Sequence, residues 1–395
     1  MSEQGRRWGP QTTAVHAGHA GVTGDLAPPL HLSTSFSHGS ADEAAHAFAH
    51  EDSPIYSRWG NPTIAHLEAA VAALEGAEAA LATASGMAAI STALLTALQS
   101  GDHVVATTGL YSGSYHLLRR DLPALGIECS VADATEPAAF AAAIRGNTKV
   151  IYLESPANPT FALNDLAAIV EIAQAHGLTT IIDNTFATPI NQQPHRWGVD
   201  VTVHSATKYI CGHGDAIAGV ITASESFIQR ARKGPLRNFG AVLSPFNAWL
   251  VLRGLHTLPL RMAQHNGSAR HLADWLAHQP EVAWLRYPHH PSHPQYELAR
   301  RQMTGGGGVL VFELHGGVAA GRTLLDHVRL CRRAVSLGDV RTLITHPAST
   351  THASVAQQVR LAAGLSDGLV RLAVGLEDVE DLIADLSQAL SKVAS

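Results

Sequence analysis

The chain has 395 residues, of which 46% are apolar and 15% charged, with a net charge of −6. This composition fits one large globular domain or two ordinary ones and argues against disorder. The interspersed charges leave no nucleic-acid or membrane footprint, and no apolar run approaches the roughly 20 residues of a spanning helix.

The opening Met1-Ser2-Glu3-Gln4-Gly5-Arg6-Arg7 lacks the apolar core of a secretory signal. The first 50–60 residues are turn-rich and weakly periodic, and read as an arm. An Ala/Leu-rich helical stretch follows at Ser85–Gln99, then the turn Gly101-Asp102 and the short apolar run Val104-Val105-Ala106. Lys149–Leu153 reads as a buried strand. The next helix places Leu166, Ile169, Val170 and Ala173 on one face, with Asn164 or Asp165 as its cap and Gly177 at its end. Strands at Thr179–Ile182 and Val201–Val203 continue the alternation, which predicts a mainly parallel sheet covered on both faces.

Near Leu243-Ser244-Pro245 the pattern changes. A long helical segment is expected from Phe246 toward His265, with a bend at Pro259. The strand Gly308–Glu313 follows a four-glycine turn, and Val379, Leu382, Ile383 and Leu386 fall at helical spacing near the end. The expected organisation is an arm (1–60), an α/β large domain (61–245) and a smaller α+β domain (246–395).

Histidine is abundant, at 24 residues, and Pro288-His289-His290-Pro291-Ser292-His293-Pro294 is its densest run. It reads as a Pro-fixed surface loop and not a metal site, because no Cys or carboxylate completes a coordination sphere. Cys129, Cys211 and Cys331 are isolated thiols without metal-ligand spacing, which fits a reduced, cytoplasmic setting.

The chemistry-bearing residues lie just past the strands. Asn158 follows the first, Asp183 ends the second and Lys208 follows the third, so all three are expected at one sheet edge, where parallel sheets bind ligands. A lysine amine forms an imine with an aldehyde, a carboxylate keeps a pyridinium nitrogen protonated, and an amide can bond a ring hydroxyl. That combination suits pyridoxal 5′-phosphate (PLP) held as a Schiff base on Lys208. Ser85-Gly86-Met87 opens a helix whose free N–H groups favour a phosphate, and Ser205 and Thr207 could add hydroxyls.

These segments resemble the Cys/Met-metabolism family of PLP-dependent enzymes. The resemblance is carried by Ser205-Ala206-Thr207-Lys208-Tyr209-Ile210 with Gly212-His213-Gly214-Asp215, by Tyr56-Ser57-Arg58 with Asn61-Pro62-Thr63, and by Ala84-Ser85-Gly86-Met87. Glu154-Ser155-Pro156-Ala157-Asn158-Pro159, His346-Pro347-Ala348-Ser349 and Val370–Glu377 extend it over nearly the whole chain. It implies PLP fold-type I, the aspartate aminotransferase-like fold. It also implies that Tyr56 and Arg58 reach the phosphate of a neighbouring subunit, in a homotetramer built of active-site dimers. Tyr111 would stack on the ring and protonate the leaving group, Arg371 would bind the substrate carboxylate, and Ser336 would assist through its backbone. Lys208 would shuttle protons.

The family divides by reaction. Val335, where cystathionine enzymes often have glutamate, suits an uncharged substrate side chain. Val335-Ser336-Leu337-Gly338-Asp339 and Gly212-His213-Gly214-Asp215 resemble methionine γ-lyase. Gly113, where those lyases usually have a reactive cysteine, instead resembles the O-acylhomoserine sulfhydrylases, as does the segment Thr345–His352 that contains Thr351. Arg237-Asn238 also departs from the lyases' lysine–aspartate pair. The expectation is γ-elimination on methionine or a close analogue, ahead of O-acetyl- or O-succinylhomoserine sulfhydrylation and of cystathionine γ-lyase or γ-synthase activity. A non-catalytic PLP-binding regulator is the reading from a different class.

Overall fold

A computed structural model describes residues 8–18, 24–158, 160–362 and 364–393. Residues 1–7 and 19–23 of the expected arm, and Pro159 of the Asn158 segment, lie outside these. Seven strands form the first sheet: β1 (Ala79–Thr83), β2 (His103–Thr107), β3 (Glu128–Ala132), β4 (Thr148–Glu154), β5 (Thr179–Asp183), β6 (Val201–His204) and β7 (Gly219–Ala223). Their spatial order is β1-β7-β6-β5-β4-β2-β3, and β7 alone runs against its neighbours. The parallel block β6-β5-β4-β2-β3 accounts for the continuous apolar runs in the sequence, since both faces are covered. Helix Gly86–Ala97 packs on one face, in a cluster with Val104, Ile181 and Val203, and helix Leu166–Ala175 on the other, with Val105, Ile151 and Ile182.

A second sheet follows: β8 (Val282–Arg286), β9 (Val309–Leu314), β10 (Arg332–Arg333), β11 (Leu343–Thr345) and β12 (Leu369–Ala373), in the order β10-β11-β12-β9-β8. Helix Val379–Leu390 buries Leu382 and Leu386 against it, matching its periodicity. No helix among the described residues is long and apolar enough to cross a membrane.

Three local expectations change. The segment after Pro245 is two helices, Pro245–Leu255 and Leu258–Leu276, separated at His256-Thr257. Pro259 therefore sits in the first turn of a new helix, where its missing N–H costs nothing, and does not bend a continuous one. The N-terminal segment contains helices Pro10–His16 and Ala41–His50, the latter capped by Ser40, whose hydroxyl accepts from the Glu43 N–H. The histidine-rich loop is not wholly a surface feature. His293 is buried and bonds the Phe161 carbonyl at 3.1 Å, bracing the segment that follows Asn158.

Candidate active site

Strands β4, β5 and β6 are adjacent and parallel, so their carboxyl ends share one edge. Glu154 pairs in register with Asp183, and Asp183 with Val203. Burial pushes both carboxyls up, and the Asp183 charge drives Glu154 well above the usual range. Asp183 is opposed in this by the Thr185 hydroxyl and N–H, the latter at 2.9 Å, and by the charge of His204. Thr185 also accepts from the Ser205 N–H at 2.8 Å, which ties the end of β5 to the lysine segment. Glu154 accepts N–H groups from Tyr111 at 2.8 Å and Asn158 at 3.2 Å. The sequence assigns no role to Glu154 or Thr185; their signal is position beside Asn158 and Asp183.

Lys208 lies in a turn after β6. The buried Arg261 guanidinium donates to the carbonyls of Tyr209, Ile210 and Gly254, at 2.7, 3.3 and 2.7 Å, and so braces that turn. Nothing local in the sequence marked Arg261. Gly338 lets a second loop lie on the turn, since a Cβ there would come within 2.5 Å of the Tyr209 nitrogen. This loop brings Ser336, at φ +93°, to Lys208, whose Nζ donates to the Ser336 hydroxyl at 2.6 Å. Burial first, then the Arg371 charge, lowers the basicity of Lys208.

Arg371 on β12 reaches across from the second sheet. Its Nη2 donates to the Ser336 carbonyl at 3.0 Å and its Nη1 to Asn158 Oδ1 at 3.4 Å. Lys208, Ser336, Arg371, Asn158, Glu154 and Asp183 are thus one connected group built from both sheets. The role expected of the Ser336 backbone is joined by one for its side chain.

At the helix start, Ser85 Oγ accepts from the Ala88 N–H at 3.1 Å. Gly86 packs on Ser205: a Cβ there would lie 2.7 Å from the Ser205 Cβ. Thr207 turns its hydroxyl to Ala218, donating at 3.1 Å and accepting at 3.0 Å, so it is not directed to the helix start. The Tyr111 ring lies over Gly113 beside Met87. A Cβ on Gly113 would stand 2.7 Å from Tyr111 Cε1 and 2.9 Å from Met87 Sδ.

Val335, 61% exposed, lines with Thr207, Ser336, Ile217, Arg332 and Arg341 a cavity of about 710 Å³. Three expected residues stand apart. Tyr56 and Arg58 are exposed and stack at 5.3 Å, and Arg58 donates to the Arg237 carbonyl at 2.9 Å. Thr351 is exposed, its hydroxyl 2.9 Å from the His352 ring. None of these three has a hydrogen bond to Lys208, Asp183 or Ser205 among the described residues. Cys211, buried, donates to Asp215 at 3.2 Å, away from Tyr111.

The sequence profile of the family described as Cys/Met metabolism PLP-dependent enzyme matches residues 11–391. The chain is 46% identical to the L-methionine gamma-lyase of Fusobacterium nucleatum subsp. nucleatum, over 97% of this chain and 98% of that one. It is 45% identical to the L-methionine gamma-lyase of Pseudomonas putida, over 97% of each. An O-succinylhomoserine sulfhydrylase of Mycobacterium tuberculosis is 43% identical over 93% of this chain and 92% of that one. The crystal structure of metB from Corynebacterium glutamicum superposes with a TM-score of 0.91 at 36% identity, covering 97% of this chain and 98% of that chain.

Proposed function

The chain belongs to the Cys/Met-metabolism family of PLP-dependent enzymes, and from that premise we propose γ-elimination on L-methionine, giving 2-oxobutyrate, methanethiol and ammonia. The fold is PLP fold-type I and the cofactor is pyridoxal 5′-phosphate. The residues fit that group. An amine of lowered basicity and a buried carboxylate pair follow adjacent parallel strands, and the helix start at Gly86 packs so closely on the lysine segment that a Cβ there would meet Ser205. Lys208 would hold the aldehyde carbon, Asp183 the ring nitrogen, Asn158 the ring hydroxyl and Tyr111 the ring face. Ser85, Gly86, Met87 and Ser205 would hold the phosphate. Thr207 joins them only if its hydroxyl leaves Ala218.

When bound, PLP supplies an electron sink for the charge left at Cα. The chain supplies the rest. Arg371 receives the substrate carboxylate in a fork geometry, giving up the Ser336 carbonyl or Asn158 as needed. Lys208, less basic than an ordinary lysine where it sits, is the base that moves protons between Cα and Cβ. The Tyr111 hydroxyl protonates the departing sulfur.

The observation that carries the choice of methionine is Val335. It is an exposed apolar side chain next to Ser336 on the cavity wall, and it offers no partner of its own to a charged distal group, although Asp215, Asp339, Arg332 and Arg341 line the same cavity. O-acylhomoserine sulfhydrylation is the second reading, favoured by Gly113, whose lack of a side chain makes room for the Tyr111 ring, and by the sulfhydrylase among the relatives. A pocket change of this size shifts specificity by about 1–3 kcal/mol. Purified enzyme incubated with methionine, cystathionine, or O-acetylhomoserine plus sulfide decides between them by kcat/KM. Release of 2-oxobutyrate from methionine alone is expected; homocysteine formed only from the acyl substrate would overturn the lyase reading.

The same proposal includes an arm at 1–60, a PLP-binding domain at 61–245 and a small domain at 246–395. It places Tyr56 and Arg58 at a neighbouring subunit's phosphate in a homotetramer, Thr351 on the substrate side, and the protein in the cytoplasm. The exposure of the Tyr56–Arg58 stack supports the shared site.

A further inference from the structure

We propose that Glu75 and His204 form a buried ion pair that favours an ionised Asp183, the residue that would meet the cofactor's ring nitrogen; both are positioning residues, and the idea rests on that assignment of Asp183. Glu75 ends helix Pro62–Glu75 and His204 ends β6, 129 positions apart in sequence. Their side chains are 0% and 1% exposed, and His204 Nε2 lies 2.5 Å from Glu75 Oε1. The same oxygen accepts from Asn184 Nδ2 at 3.1 Å. Asn184 is fixed in turn by Gln192, which accepts from its amide at 2.9 Å and donates to its Oδ1 at 2.9 Å.

Asn184 directly follows Asp183, and His204 directly precedes Ser205. The pair therefore clasps the two strand ends that present the acid and the lysine segment. A carboxylate this deep is stabilised by a compensating cation, and His204 Nε2 is within direct hydrogen-bond reach of it. Transfer of the proton to Glu75 would leave both groups neutral and the bond weaker.

Asp183 needs such support. From β4 it faces Glu154 and Tyr152, and neither favours a second negative charge nearby. Thr185 offers hydrogen bonds without net charge. His204, from β6, brings positive charge. A charged imidazole shifts Asp183 toward its anion, against the effect of burial, and a neutral one does not.

Glu75→Gln tests this, since the amide oxygen still accepts from His204 and Asn184 while the charge is gone. Heteronuclear NMR of histidine-labelled apoenzyme, with the signal assigned through His204→Gln, reads the imidazole directly. The expected result is a doubly protonated His204 in the parent and a neutral one in E75Q. In holoenzyme loaded with nitrogen-labelled PLP, the ring nitrogen is expected to read as protonated in the parent and unprotonated in E75Q. The double variant E75Q/H204Q removes both charges, guards against misfolding of the single one, and is expected to give the same unprotonated ring. A neutral His204 in the parent, or a ring signal unmoved in folded E75Q or E75Q/H204Q, would overturn the proposal. A ring signal unmoved in Asp183→Asn would instead overturn the Asp183 assignment and the cofactor half with it, while the apoenzyme spectrum still decides the charge of the pair.

Discussion

Lys208 donates from Nζ to the Ser336 hydroxyl at 2.6 Å, and the carbonyl of the same serine accepts from Arg371 at 3.0 Å. Ser336 is thus the joint between the base and the group that would receive the substrate carboxylate. Ser336→Ala keeps the carbonyl and removes only the partner of Lys208. Steady-state kinetics on methionine should give a kcat lower by about tenfold with KM little changed, the signature of lost positioning at the base.

Lys208→Ala should abolish turnover even where PLP still binds. In the parent enzyme, borohydride reduction followed by peptide mapping should place the trapped cofactor on the peptide that contains Lys208. Recovery on any other lysine would remove the basis of the proposed site.

The depressed basicity of Lys208 has a pH consequence. Burial and the Arg371 cation both disfavour the ammonium form, so the neutral, nucleophilic amine persists to lower pH than for an ordinary lysine, near about 10.4. The rate at which apoenzyme takes up PLP should rise with pH with a midpoint below that value. Arg371→Met removes one of the two causes, and stopped-flow absorbance should find its midpoint shifted upward.

Two glycines are held in place by close approach. Gly86→Ala would drive a Cβ into Ser205, so PLP affinity measured by dialysis and fluorescence should weaken by about tenfold or more. Gly113→Cys places a Cβ against the Tyr111 ring and Met87. It should lower kcat on methionine by about tenfold through displacement of the ring, despite restoring a residue usual in methionine γ-lyases.

The three thiols should be inert in the native protein. Burial pushes Cys129 and Cys211 up to about 11 and Cys331 higher still. At neutral pH almost no thiolate is present. Titration with an aromatic disulfide reagent should therefore find no rapidly reacting thiol until denaturant is added, and alkylation should leave activity intact.

The sequence by itself determined what is local and periodic. The strands that became β4, β5 and β6, the Ser85 cap, a cap at Asn164 or Asp165, and the placement of Asn158, Asp183 and Lys208 at or past successive strand ends all follow from side-chain period and turn chemistry. The reversed strand β7, the break before Pro259 and the helix at Ala41–His50 were not legible, because apolar runs carry no direction and tertiary packing overrides weak propensity. Only the tertiary structure decided which residues meet. Ser336 and Arg371 join Lys208 and Asn158 across 128 and 213 positions, because two sheets pack and a glycine lets one loop lie on another. Glu75 reaches His204, and Arg261 the lysine turn, in the same way. A pattern along the chain records which face is buried; it does not record what that face, or the polar group hidden in it, is buried against.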